Sequence, residues 1–217
     1  MYKTDGLLTQ EDIDNGNYIT NGIKPQAGDI KYVDVHKDGK LDGNDRVITG
    51  TDVPDVTYGL GLTLGYKDFD LSVFGQGVSG ANVYFNNEQA WAFFNYATPR
   101  EYHLNRWTVD NPDQNALYPR IYPASSNRAK YNQLQSDFWL FSANYFRVKN
   151  ITLGYTVPRQ LISKYSLSAL KFYVSLENPI TLRGDDRMKD FDPESYSGRA
   201  QNTRGTRMYT FGVNVSF

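Results

Sequence analysis

Cysteine is absent from the 217 residues, which excludes disulfides, thiol nucleophiles, Cys-ligated zinc and iron-sulfur clusters. Histidine is scarce: His36 and His103 are the only two. Histidine catalysis and transition-metal ligation have little to work with. Neither sign of charge dominates, since Lys+Arg 23 against Asp+Glu 24 leaves a net charge of -1, and no broad positive field favours nucleic acid. No apolar run approaches the ~18 residues of a transmembrane helix, and mean hydropathy is -0.58. Helical spanning is excluded. A membrane barrel is not, because a barrel strand shows lipid only every second residue.

Aromatic residues are abundant, with 17 Tyr, 12 Phe and 3 Trp beside 18 Gly, a mixture suited to strands, tight turns and interfacial girdles. From Tyr58 to Tyr66, alternation places Tyr58, Leu60, Leu62, Leu64 and Tyr66 on one face and Gly59, Gly61, Thr63 and Gly65 on the other. After Lys67-Asp68, residues Phe69, Leu71 and Val73 oppose Asp70, Ser72, Phe74 and Gln76, which reads as a hairpin with a very short turn. The same period recurs at Ile151, Leu153, Tyr155 and Val157, at Leu170, Phe172, Val174 and Leu176, and at Tyr209, Phe211, Val213, Val215 and Phe217. Arg147 and Lys149 fall on the apolar parity, so a bulge or change of face is expected there. Strands are therefore expected at 56–66, 68–78, 145–157, 169–178 and 206–217, each with about the 9–11 residues that a tilted strand needs to cross the hydrocarbon layer.

The connections sort by length. If the C-terminus is periplasmic, Lys67-Asp68 and roughly Pro158 to Ala169 lie on that side. The long stretches Val78 to Asn144, Pro179 to Thr206 and the residues before Val56 lie outside. Short turns on one side and long loops on the other characterise outer-membrane barrels. A short helix is expected at Asn87 to Ala97, after which four prolines break the loop. No secretory signal follows Met1, so an exported precursor would have to begin earlier.

Several strings, GDIKYVDVHKDGKLDGNDRVITG (Gly28 to Gly50), VPDVTYGLGLTLGYKDFDLSVFGQGVSG (Val53 to Gly80), SDFWLFSANYFRVKNITLGYTVP (Ser136 to Pro158), FDPE (Phe191 to Glu194) and the ending YTFGVNVSF (Tyr209 to Phe217), resemble the C-terminal part of SusC/RagA-type TonB-linked outer-membrane transporters of Bacteroidota. The resemblance implies an all-β fold: the final strands of an antiparallel transmembrane β-barrel of about 22 strands. The plug domain and earlier strands have no counterpart, so a fragment is expected. It further implies import of oligosaccharides or peptides, with a SusD-like surface lipoprotein and energy relayed by the TonB complex through the absent N-terminal part. Two departures stand out. Phe141-Ser142 replaces a usual acidic stretch, and Asn178-Pro179-Ile180 replaces Asn-Leu-aromatic.

On this reading residues 1–55 form an extracellular loop region and 56–217 the barrel strands with their loops. Within the first region, 34–45 has the register of an EF-hand-like loop. Asp34, Asp38, the Lys40 carbonyl and Asp45 fit as calcium ligands, Gly39 suits the turn, and His36 stands at a ligand position where imidazole is a poor donor. The competing reading is an Asx-rich turn that keeps its shape without metal. In the long second loop, Tyr84, Phe85, Trp91, Phe93, Phe94, Tyr96, Tyr102 and Trp107 either form the loop's own core or touch substrate or partner. Tyr84, Trp91, Phe94 and Trp107 are the contact candidates.

The carboxylates Asp185, Asp186, Asp190, Asp192 and Glu194 sit beside Arg183, Arg187 and Lys189, which points to a solvated mixed-charge loop rather than to acid-base catalysis. Gly75 to Gly80 has the letters of a dinucleotide loop but no following helix. No enzymatic activity is expected. Asp70, Ser72, Gln76, Asn150, Thr152, Lys171, Ser175, Glu177, Thr210 and Asn214 would face the lumen or plug, while the face of Tyr209, Phe211, Val213, Val215 and Phe217 meets lipid. In the resemblance that last strand also serves as the signal read by the outer-membrane assembly machinery. The alternative is a soluble secreted β-sandwich or calcium-stabilised carbohydrate-binding module, whose apolar faces would meet across a core.

Overall fold

The computed structural model describes residues 1–16, 18, 22–123, 125–195 and 205–217. In chain order the strands are β1 (Thr4–Leu7), β2 (Ile30–Tyr32), β3 (Val56–Tyr66), β4 (Phe69–Ser79), β5 (Asn82–Tyr84), β6 (Leu140–Ser142), β7 (Tyr145–Thr156), β8 (Ala169–Arg183) and β9 (Met208–Ser216). Four short α-helices join them: α1 (Gln10–Asp14), α2 (Asn87–Ala90), α3 (Asn127–Asn132) and α4 (Arg159–Ile162). No helix among the described residues is long and apolar enough to cross a membrane.

Contacts divide the chain into two units. One, the wall, comprises Pro54–Gly80, Asn144–Gly184 and Arg204–Phe217. The other, the loop body, comprises Met1–Val53, Ala81–Ala143 and Asp185–Thr203. Contacts thus group the chain differently from its linear order. The described residues of the two long loops share a unit with the N-terminal region.

The wall is a five-stranded antiparallel sheet in the order β3-β4-β7-β8-β9. Its register aligns the alternation of every strand with that of its neighbour. Tyr66, Phe69, Tyr155, Phe172 and Val213 form one cross-strand row; Leu64, Leu71, Leu153, Val174 and Phe211 the next; Leu62, Val73, Ile151, Leu176 and Tyr209 a third. Further along, Tyr58, Gly77, Phe146 and Leu182 continue the same face. No side chain of these rows is buried; Phe211, for example, is 78% exposed. A sandwich requires this face to be covered by a second layer. Among the described residues of the wall, no second layer of strands faces it.

The expected face change occurs in β7. Phe74 pairs with Asn150 but Gly75 pairs with Val148, so Lys149 is an extra residue against β4. Between β7 and β8, Val148 pairs with Ile180 and Asn150 with Glu177, leaving Asn178 and Pro179 as the next irregularity. Asn178 adopts φ 50°, and the missing N–H of proline falls where no ladder bond is made. This is why β8 continues to Arg183 instead of stopping near 178 as the Asn-Pro pair implies. The other boundaries shift by a residue or two.

Helix α2 is shorter than the expected Asn87 to Ala97. Ala90 and Ala92 are both buried, and positions two apart lie on opposite sides of a helix. The backbone leaves the helix at Trp91, where φ is -103° and ψ 120°.

Gly212 on β9 is fitted to Tyr173 of β8. A Cβ at 212 would lie 2.1 Å from the tyrosine ring, so the ring lies flat over the glycine. Gly212→Val is expected to cost about 1–3 kcal/mol by overpacking. Tyr173→Ala in the same chain should recover part of that loss, read as the midpoint of thermal unfolding in detergent.

Candidate functional site

The wall has a second face, and it is polar. Ser72, Thr152, Ser175 and Thr210 make one cross-strand row, and Phe74, Asn150, Glu177 and Met208 the next. All ten residues expected to face a lumen lie on this side. They bond to one another: Asn150 Nδ2 donates to Ser175 Oγ at 2.9 Å, Thr152 Oγ1 donates to Asn150 Oδ1 at 2.8 Å, and Thr152 Oγ1 is 3.0 Å from Ser175 Oγ. Lys171 Nζ and Asp70 Oδ1 pair at 2.8 Å. Beyond the bulge Arg147 is on this face too, opposite Gln76, and its Nε donates to Thr181 Oγ1 at 2.9 Å. The face therefore carries charge, hydroxyl and amide groups against a surface of Leu, Val and Phe one backbone away.

The loop body has a core of its own. Trp139, Tyr131, Phe85, Phe141, Leu7, Leu8, Ile30 and Met188 are fully buried. Inside it, Asn132 Nδ2 donates to Asp29 Oδ1 at 2.9 Å, Asn132 Oδ1 accepts from Ile30 N at 2.9 Å, and Trp139 Nε1 donates to the Asn132 carbonyl at 2.7 Å. Burial pushes the Asp29 carboxyl up from the ordinary carboxylate value. Arg187 is a second tie, with Nη1 donating to the Phe138 carbonyl at 2.7 Å, Nη2 pairing with Asp185 Oδ2 at 2.7 Å, and the guanidinium carbon 3.9 Å from the Phe141 ring centroid. Burial works against the Asp185 charge, but the hydrogen bonds and charge of Arg187 together with the Ser142 N–H outweigh it and hold the carboxyl below its ordinary value. The loop read as solvated mixed charge is thus in part an internal clamp. Asp185 and Arg187 are largely buried, and Asp192 is buried as well. The proximity of Arg187 to Phe141 is a long-range contact that local spacing does not reveal.

The aromatic candidates separate by burial. Trp107 is buried, stacked over Gly28, where a Cβ would meet its ring at 2.3 Å. Phe85 and Tyr102 are also core. Tyr84, Trp91 and Phe94 are half-buried, and the rings of Trp91 and Phe94 meet edge-on with centroids 5.0 Å apart. The exposed rings are Phe93 and Tyr96. Phe93, Asn95 and Tyr96 all have positive φ, at 62°, 47° and 61°, a conformation that costs non-glycine residues free energy. Near them in sequence, Glu101, Leu104, Asn105 and Leu117 with Asp186 and Lys189 line a cleft of about 310 Å³.

The acidic turn at 34–45 is closed by its own backbone. Asp45, buried, accepts from Val35 N at 2.9 Å, His36 N at 3.2 Å and Asp42 N at 2.9 Å. The Asp42 N–H bond leads in holding its carboxyl below the ordinary value. Asp34 Oδ2 accepts from Gly39 N at 2.7 Å and Asp38 Oδ1 from Lys40 N at 2.9 Å. Leu41 is the buried anchor, while His36, Asp38 and Lys40 are exposed. No three acidic or imidazole side chains among the described residues are grouped as a metal site. One oxygen, Asp34 Oδ1, is buried without a hydrogen-bond partner.

His103 is buried with its Nδ1 accepting from Arg100 N at 2.7 Å and its Nε2 3.0 Å from the Ala90 carbonyl, a pair of bonds that requires neutral imidazole protonated at Nε2. Burial lowers its pKa from 6.5. Arg100 also disfavours the charged form, while Asp190 favours it. A base with a lowered folded pKa stabilises the fold fully above its unfolded value and loses that contribution as pH falls. The loop body is therefore expected to lose stability as pH drops below about 6.5. Tryptophan fluorescence during unfolding should show this, since Trp91, Trp107 and Trp139 all lie in that unit. In His103→Gln the slope in this range should vanish.

Comparison with known proteins agrees with this architecture. No family model matches the chain. Over the whole chain it is 24% identical to TonB-dependent receptor P3 of Formosa agariphila, spanning 22% of that protein. Over 94% of the chain it is 26% identical to TonB-dependent receptor SusC of Bacteroides thetaiotaomicron, spanning 19% of it. Among solved structures, the RagAB peptide importer in its open-open state matches with TM-score 0.65 and 19% identity, and in its closed-closed state with 0.67 and 20%. Each covers 100% of this chain and 22% of the other. The chain thus spans about a fifth of the length of the relatives it matches. The SusC/RagA-type resemblance is borne out, as is an all-β fold matching part of such a barrel.

Proposed function

We propose that the chain is the C-terminal barrel segment of a TonB-dependent outer-membrane importer. The observation that carries this is the unbroken apolar face of the wall, exposed on all five strands and backed by a hydrogen-bonded polar face. Strands of 11 and 12 residues at ~3.3 Å per residue reach about 36 Å, enough to cross the hydrocarbon layer at the tilt of a barrel strand. Strands β3 and β9 each have one free edge. Open edges are not tolerated in lipid, so the remaining strands of a larger barrel must pair with them.

In this reading the polar face lines the lumen or meets the plug, and a SusD-like lipoprotein and an oligosaccharide or peptide cargo would meet the loop body. Phe93 and Tyr96 join Tyr84, Trp91 and Phe94 as its aromatic contacts. Trp107, packed on Gly28 in the core, is not among them. Energy comes from TonB through segments outside this chain. The exposed row Tyr209, Phe211, Val213, Val215 and Phe217 is the strand presented to the assembly machinery.

The test is directional. In the full-length protein, Leu153→Arg is expected to destabilise the folded barrel by about 2–4 kcal/mol, as lipid-facing arginine near the midplane does. Thr152→Arg, one residue away on the lumen side, should cost far less. Equal costs, or partition of the intact protein into the aqueous phase without detergent, would overturn the proposal.

Calcium at the 34–45 turn is a separate proposal, supported by the unpartnered Asp34 Oδ1 and by Asp38 and the Lys40 carbonyl in ligand register, while Asp45 holds the turn closed through backbone N–H groups. Saturating calcium is expected to raise the unfolding midpoint of the wild type and not of Asp34→Asn. An unchanged wild-type midpoint would leave the turn metal-free.

A further inference from the structure

The short connections at one end of the wall carry charges that spanning a membrane does not require. The turn between β3 and β4 is only Lys67 and Asp68. Lys67 adopts φ 53°, a left-handed conformation that two-residue hairpins ordinarily give to glycine or asparagine. Its Nζ lies 5.3 Å from the centroid of the Tyr66 ring. The connection between β7 and β8 repeats the pattern, with Lys164 Nζ 4.9 Å from the Tyr165 centroid and Arg159 as a third exposed cation. Asp68 is the one acidic residue in these two connections.

The two connections are neighbours. Thr156 N at the end of β7 donates to the Asp68 carbonyl at 2.8 Å. At the same end of the strands, the apolar face carries a groove of about 390 Å³ lined by Phe69, Tyr155, Phe172, Phe211 and Val213 with Leu153. The rings of Phe69 and Tyr155, 4.7 Å apart, lie where the groove approaches the turns. Apolar recess, aromatic rim and cations therefore follow in the order of acyl chain, glycerol region and headgroup in a lipid leaflet.

We propose that this end of the wall binds an anionic phospholipid, with an acyl chain in the groove and the phosphate among Lys67, Arg159 and Lys164. The inference rests on the membrane-wall reading above and adds headgroup selection to it. Three cations against one carboxylate complement a net negative headgroup better than a zwitterionic one. The tyrosine rings hold the two lysines at the rim through cation-π contact.

Spin-labelled phosphatidylglycerol and phosphatidylcholine, each introduced into phosphatidylcholine vesicles holding the full-length transporter, measure the selection directly as the fraction of label immobilised by protein. An association preference of about fivefold for phosphatidylglycerol is expected, on the scale of one surface cation's attraction. It should fall toward unity in Lys67→Gln/Arg159→Gln/Lys164→Gln and persist in excess glycerol phosphate. Asp68→Asn, which keeps all three cations, should raise it. No preference, a preference unchanged in the triple variant, or one abolished by glycerol phosphate would overturn the lipid site while leaving the barrel intact. Absence of any immobilised component with either label would instead overturn the membrane reading itself.

Discussion

Everything in the wall depends on one register. A strand turns successive side chains to opposite sides, so a slip of one position between neighbours would bring Asp70, Lys171 or Glu177 onto the face of Leu64, Leu153 and Phe211. The pairing of Tyr66 with Phe69 around a two-residue turn sets β3 against β4, and rows of matched side chains carry that setting across to β9. Because no side chain of the apolar rows is buried, the energy that enforces this register comes in large part from the medium that this face meets. The hydrogen bonds of Asn150, Thr152 and Ser175 satisfy the polar side among themselves, and the apolar side needs only a solvent that makes no hydrogen bonds.

The loop body obeys a different rule. Its stability comes from rings and buried polar ties that bring distant segments together: Tyr32 OH to the Tyr131 carbonyl at 2.7 Å, Asn132 to Asp29, and Arg187 over Phe141. These loops are long, yet their described residues hold a packed interior. Phe93 and Tyr96, by contrast, are exposed and adopt a costly backbone conformation at the surface of the loop body.

This contrast explains what was legible in the sequence. The five wall strands were readable because a period of two appears within nine residues of chain. The fate of Arg147 was foreseeable as a breach of that period. The continuation of β8 through Asn178 and Pro179 was not, because the same dipeptide that marks a turn also suits a bulge. In the loop body neither the burial of Trp107 nor the clamp of Arg187 on Asp185 could be read, since both depend on residues distant in the chain. His36 looked misplaced as a metal ligand and is in fact exposed, while the last position of its motif, Asp45, is occupied by backbone donors.

The paired irregularities at Lys149 and at Asn178-Pro179 have a geometric meaning beyond the change of face. Each gives one strand a residue more than its neighbour, so the two together advance β8 against β4. Offset of this kind is what determines how steeply staves lean when a sheet is rolled into a cylinder, and therefore how wide the cylinder is. These few residues already encode part of the circumference, and any strand that completes the ring must accept the pitch that they impose.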